Sequence, residues 1–149
     1  MEYVIRKAQS DDLGQIIVQL KRLESFVDMK HSLYSGNEDA ELIIGQLIKN
    51  NYFLVAINES QDIIGLIAGL LSPHFLNKKI MTFIQLFWWV REDMRGTKIG
   101  GGLLDLCVKY GKENADYLVF GLGPESTVDK NVLLSRGFKP GESHYVMEI

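Results

Sequence analysis

Apolar residues recur along the chain with two periods, and the switches between them mark its elements. Tyr3 to Ala8 reads as a short strand. Leu13, Ile16, Ile17 and Leu20 follow the i, i+3, i+4, i+7 spacing of a helix laid on a core, with Leu23 and Phe26 roughly continuing the stripe. Ser10, ahead of Asp11 and Asp12, reads as its cap, with acids in the first turn. Positions 28–37 are polar, with a break at Ser35-Gly36-Asn37. A second helix is expected over Glu38 to Lys49, ended by Asn50-Asn51. The period then shortens. Tyr52 to Ile57, Ile63 to Leu71 and Ile80 to Val90 read as a meander of antiparallel strands, joined by a turn at Asn58–Asp62 and a loop at Ser72–Lys79. Helical spacing returns at Ile99, Leu103, Leu106, Cys107 and Tyr110, and Asp116 to Phe120 forms another short strand. That strand follows a helix, so it should lie parallel to Ile80–Val90 through a right-handed crossover. After a loop at Gly121–Pro124, Ser126 should cap a short helix through Val128, Val132 and Leu133 that stops at Gly137. Tyr145 to Ile149 reads as a terminal strand. The pattern predicts one α+β domain over residues 1–149 with a mixed sheet.

Composition changes this picture little, but it excludes much. A net charge of −3 on 149 residues provides no global basic field for nucleic acid, so any anion site must be local. The single cysteine, Cys107, excludes an intramolecular disulfide and a multi-cysteine zinc site, and its apolar setting suggests a core thiol. His31, His74 and His144 have no metal-like spacing, so no metal is expected. The longest apolar run, Ile63 to Leu71, falls short of the roughly 18 residues of a membrane span. With no N-terminal signal pattern, the expected setting is cytoplasmic, without membrane or nucleic-acid partners.

The chemistry concentrates in Phe87 to Leu104, FWWVREDMRGTKIGGGLL. An apolar strand runs through a charged segment into a glycine-rich, basic loop and then a helix. Exposed amides and the positive end of a helix dipole would together hold a phosphate there. The loop is not a nucleotide P-loop, because no lysine with serine or threonine follows the last glycine. Nor is it a G-x-G-x-x-G fingerprint, since Gly96 and Gly100 are four apart.

The whole element order resembles the GNAT acyl-CoA N-acyltransferases. The residues carrying the resemblance are Val90, then Arg95-Gly96-Thr97-Lys98-Ile99-Gly100, then Leu103-Leu104, which parallel that family's R/Q-x-x-G-x-G/A signature. Leu133 to Phe138 parallels the family's helix closing in Gly-Phe. The resemblance implies a central sheet of about six to seven strands, mostly antiparallel, flanked by about four helices, with strands splayed around Val90 and Tyr117. It implies acetyl-CoA as co-substrate and a primary amine of a small molecule or peptide as acceptor, in a monomer or homodimer. By resemblance, Trp88, Trp89 and Val90 would meet the pantetheine arm, Arg95 to Gly101 the pyrophosphate, and the Val90 amide the oxyanion. Ser126 occupies the place of an asparagine that contacts the cofactor in many members. Two positions depart from the family pattern. Lys98 replaces the first glycine of the signature, and Leu133 replaces the tyrosine that usually protonates the leaving thiolate. Ser135 and Tyr110 are the candidate substitutes for that acid.

Other readings stay open. Trp88 and Trp89 are adjacent and must face opposite sides of the sheet, one in the core and one in the cleft. Gln85 is either a satisfied structural amide or a cleft residue. Glu92 and Asp93 read as solvated charges. The segment from Glu24 to Tyr34, with His31, is expected to cover the acceptor end. A non-catalytic acyl-CoA-binding module and a generic phosphate binder are the alternatives to an enzyme.

Overall fold

The computed structural model describes residues 1–26, 38–50, 52–123 and 126–149. The expected break at Ser35–Asn37, and His31 and Tyr34, lie outside the described residues. The chain order is β1 (Tyr3–Lys7), α1 (Leu13–Glu24), α2 (Glu38–Asn50), β2 (Tyr52–Asn58), β3 (Ile63–His74), β4 (Asn77–Val90), α3 (Ile99–Asn114), β5 (Tyr117–Val119) and α4 (Asn131–Leu134). The described strands form one five-stranded sheet in the order β1-β2-β3-β4-β5. Only the β4–β5 pair is parallel, as the crossover through α3 requires.

Alternate residues of the central strands supply two cores. Val55, Leu66 and Ala68 pack with Ile16, Leu20 and Ile44 of α1 and α2 on one face. Leu54, Ile64, Ile67 and Phe83 pack with Ile99, Leu103 and Cys107 of α3 on the other. Covered on both faces, β2 and β3 read as continuous apolar runs. Cys107 is a core thiol, and burial pushes its pKa up to about 12. The α3 helix crosses the sheet at Gly65, where a Cβ would stand 3.0 Å from Ile99 Cγ2 and 3.1 Å from Leu103 Cδ1. A side chain there would lift the helix that carries the glycine loop.

The structure corrects the sequence reading in several places. Five strands form among the described residues, fewer than the expected six to seven. Tyr145 to Ile149 has strand-forming residues but joins no strand of the sheet formed by the described residues, and Tyr145 is 94% exposed. The Ser72–Lys79 loop is largely ladder: β3 and β4 pair out to His74 and Asn77. This ribbon runs past the core, so its polar composition resembled a loop although its backbone is hydrogen-bonded. Ser126 does not cap α4; the Asp129 carboxylate accepts the Asn131 N–H at 2.8 Å, and the helix starts there.

Nor does Ser10 cap α1. Residues Ser10–Asp12 make a 3-10 turn, in which Asp12 Oδ2 accepts the Gln9 N–H at 2.7 Å. Both Asp12 oxygens also take the Arg6 guanidinium, at 2.7 and 3.0 Å, tying α1 to β1. The side-chain hydrogen bond from Arg6 holds the buried Asp12 carboxyl below its ordinary pKa. A carboxylate with a lowered folded pKa stabilises the fold fully above the unfolded aspartate value of about 3.9, and the contribution disappears as pH falls through the folded value. Asp12→Ala should therefore lower stability at pH 7 by about 1.5–3 kcal/mol. In urea titrations the gap from the parent chain should shrink below about pH 4.

Candidate active site

The site begins with an irregularity in β4. Ala68 pairs with Phe87 and Gly69 with Gln85, so Leu86 is an extra residue, a β-bulge. Beyond it the Arg91 N–H donates to the Ile64 carbonyl at 3.0 Å. Hydrogen-bonded and non-bonded pairs alternate along an antiparallel ladder, so the next pairs, Gly65–Val90 and Leu66–Trp89, are non-bonded and bonded in turn. The main-chain groups of Trp88 and Val90 therefore point away from β3. On that side β5 pairs with β4 only through Thr82–Ile84. The Gln85 side-chain oxygen then accepts the Gly121 N–H at 3.0 Å, a last bridge before the strands separate. The splay thus starts after Val119, while Tyr117, where it was expected, is still paired. It leaves the Val90 N–H and both Trp88 main-chain groups without partners among the described residues. Such groups are a ready edge for an extended ligand.

Directly after β4, a 3-10 turn at Glu92–Met94 reverses the chain, closed by the Met94 N–H on the Arg91 carbonyl at 2.9 Å. Arg91 pairs with Asp93 at 2.7 Å and holds its carboxyl below the usual range. Gly96 has φ +79°, in the left-handed region, and swings the chain into α3. The Thr97 hydroxyl donates to the Met94 carbonyl at 2.6 Å. The first helical bond of α3 is the Gly102 N–H on the Lys98 carbonyl. The amides of Gly96, Thr97, Lys98, Gly100 and Gly101 have no partner among the described residues. They gather at the positive end of a 16-residue helix, an arrangement suited to an anion.

All the residues of these two sets but Lys98 border one cleft of about 1040 Å³. Its walls are Gln85 to Val90, Met94 to Thr97 with Gly100 and Gly101, Gly121 to Gly123 and Ser126 to Asp129, Leu23, Glu24 and Phe26 at the end of α1, and the C-terminal residues His144 to Val146 with Glu148. A sheet edge beside a helix N-terminus suits a long ligand with an amide-bearing arm and an anionic end.

The sequence profile of the Acetyltransferase (GNAT) family matches residues 15–133. The chain belongs to the GNAT acetyltransferase family. Its fold is similar to that of a transcriptional regulator from Bacillus halodurans, with TM-score 0.77, 18% identity, and coverage of 99% of this chain and 100% of that one. A predicted acetyltransferase from Clostridium acetobutylicum, solved with acetyl-CoA, gives TM-score 0.76 at 17% identity, covering 99% and 96%. Glucosamine-6-phosphate N-acetyltransferase from Arabidopsis thaliana gives 0.73 at 13%, covering 100% and 99%. At these identities the likeness concerns the fold. A sequence comparison with curated proteins finds no match.

Within this GNAT domain the predicted site residues separate. Trp88 points to the α3 side, beside Leu104 and Phe120, while Trp89 is buried against α1, its indole N–H donating to Gln19 Oε1 at 3.1 Å. Ile99 is fully buried, with its N–H on the Thr97 hydroxyl at 3.4 Å, and neither it nor the exposed Lys98 lines the cleft. Ser126 borders the cleft, with its hydroxyl accepting the Val128 N–H at 3.2 Å. The two candidate acids are elsewhere. Tyr110 stacks on Tyr52 at 4.1 Å, under the far half of α3. Ser135 donates to the Val132 carbonyl on an exposed turn. Leu133, in the tyrosine's place, is buried against Leu104 and Val108. Arg95, expected by resemblance at the pyrophosphate, bonds the Val90 carbonyl through its Nε at 3.2 Å, and its guanidinium lies over Trp89 and Phe26. Sequence reasoning missed Leu86, Gln19 and Tyr145 as site elements. Only Gln19 had a signal, a polar residue on the apolar stripe of α1, three after Ile16 and four before Leu23. No group of three or more histidines, cysteines or acids that could hold a metal occurs among the described residues.

Proposed function

We propose that the chain transfers an acetyl group from acetyl-CoA to a primary amine by direct attack on the thioester. The observation that carries this reading is the pairing of two kinds of free main-chain group in one cleft, at Trp88–Val90 and at Gly96–Gly101. The first would take the pantetheine arm as an added strand, and the second the pyrophosphate. Acetyl-CoA supplies the activated acyl group; the protein's part is to orient it and to stabilise charge. In the transfer the amine nitrogen bonds the carbonyl carbon, the carbon–sulfur bond breaks, and the nitrogen's proton leaves while sulfur gains one. The Val90 N–H would stabilise the developing oxyanion.

The thiolate still needs a proton. The phenol and the imidazole that border the cleft among the described residues belong to Tyr145 and His144. We assign the donor to Tyr145. Tyr145→Phe should lower kcat about 100-fold while leaving acetyl-CoA affinity unchanged; an unchanged kcat would return the role to His144 or water.

One observation favours a second reading, a non-catalytic acyl-CoA module: none of Leu133, Ser135 and Tyr110 places an acid in the cleft. Calorimetry with acetyl-CoA against ATP, followed by thiol release across a panel of amines, decides between them. Tighter binding of ATP would overturn both. Acetyl-CoA binding without thiol release from any amine would leave the module.

A further inference from the structure

Arg95 is held in place by contacts that leave its charge unused. Its guanidinium carbon lies 4.6 Å from the centre of the Trp89 ring and 5.0 Å from that of Phe26, and its Nε bonds the Val90 carbonyl. Trp89 is itself fixed by the Gln19 amide. Arg6, Arg91 and Arg136 each pair with a carboxylate, at 2.7, 2.7 and 2.6 Å. Arg95 has no such partner among the described residues, and both terminal nitrogens of its fork are free there. It borders the cleft on the α1 side of the sheet, on Trp89. The free amides of the glycine loop lead into and open α3, which packs on the opposite face. A stacked guanidinium with an open fork is a preorganised receptor for a planar or tetrahedral oxyanion.

The geometry points to Arg95 as a specificity residue for the acceptor: it receives a carboxylate or phosphate carried by the amine substrate, and leaves the pyrophosphate to the loop amides. This rests on the acyl-transfer reading and narrows its acceptor to amines bearing an oxyanion.

The test compares acceptors that differ only in that group: L-amino acids against their carboxamides, and O-phosphoethanolamine against ethanolamine. Binding is measured by calorimetry on CoA-loaded protein, and transfer by thiol release. The anionic member of at least one series should be preferred 10-fold or more, and the series that separates identifies carboxylate or phosphate. Arg95→Gln should erase the preference, raising the KM of the anionic acceptor at least 10-fold while the acetyl-CoA KM stays within 2-fold. Equal or better binding of the neutral members overturns the assignment. So does a variant whose acetyl-CoA KM rises 10-fold with acceptor preference intact, since Arg95 would then serve the pyrophosphate. Anion-selective binding without thiol release would keep the receptor and remove the transfer reading.

Discussion

Gly100→Asp should weaken acetyl-CoA binding about 100-fold without harming the fold, since opposing like charges across an interface costs several kcal/mol. Gly100 lies in the first turn of α3, and a Cβ there would stand 3.4 Å from Val90 Cγ2, an ordinary contact. An acid in a first helical turn is favoured by the dipole, so the change in stability should stay within about 0.5 kcal/mol. The loss would then report on charge set against the pyrophosphate among unpaired amides. Gly100→Asn is the neutral control, with an expected loss of about 10-fold or less, near a single hydrogen bond's worth. Calorimetry near physiological salt is the measurement. An aspartate variant that binds within 3-fold of the parent would mean that α3 does not receive the anionic end of the ligand.

What could be read in the sequence follows from how local each feature is. The α1 stripe, the apolar runs of β2 and β3, and the glycine turn into α3 are set by neighbours in the chain, and the structure shows all of them. So is the parallel placement of β5, because a helix between strands permits little else. Features that depend on distant partners were not legible. Adjacent tryptophans had to face opposite ways, but the buried one is Trp89, whose N–H meets Gln19 of α1, 70 residues away in the chain. Arg95 beside Gly96 read as a phosphate ligand, and the stacking on Phe26, just past the end of α1, was not legible in the chain. Tyr145 to Ile149 has the composition of a strand, but composition cannot supply a paired edge. The missing acid is the same problem: element order locates the cleft, while the groups that handle protons come from whichever loops close over it.

Deleting Leu86 should remove acetyl-CoA binding by 100-fold or more in a protein that still folds. The bulge makes Gln85 and Phe87, two apart in sequence, behave as neighbours on the ladder, opposite Gly69 and Ala68. Without Leu86 these pairs become a regular ladder with every partner kept. Phe87 and Trp89 stay on the α1 face and Trp88 and Val90 on the α3 face. Leu86 is not part of the buried core, so the fold should lose no more than the 0.5–3 kcal/mol usual for a single change. What disappears is the bend and extra twist that a bulge gives its strand. A straightened β4 would keep its course beside the chain after β5, extend the pairing past Ile84, and occupy the main-chain groups of Trp88 and Val90. The ligand would then meet a filled edge. Circular dichroism and urea titration should find a cooperative fold, and calorimetry should find little acetyl-CoA binding. A folded deletion variant with parental affinity would show that the gap is held open by something other than the bulge. Restored pairing with lost binding would place the origin of the cofactor site in one unpaired leucine.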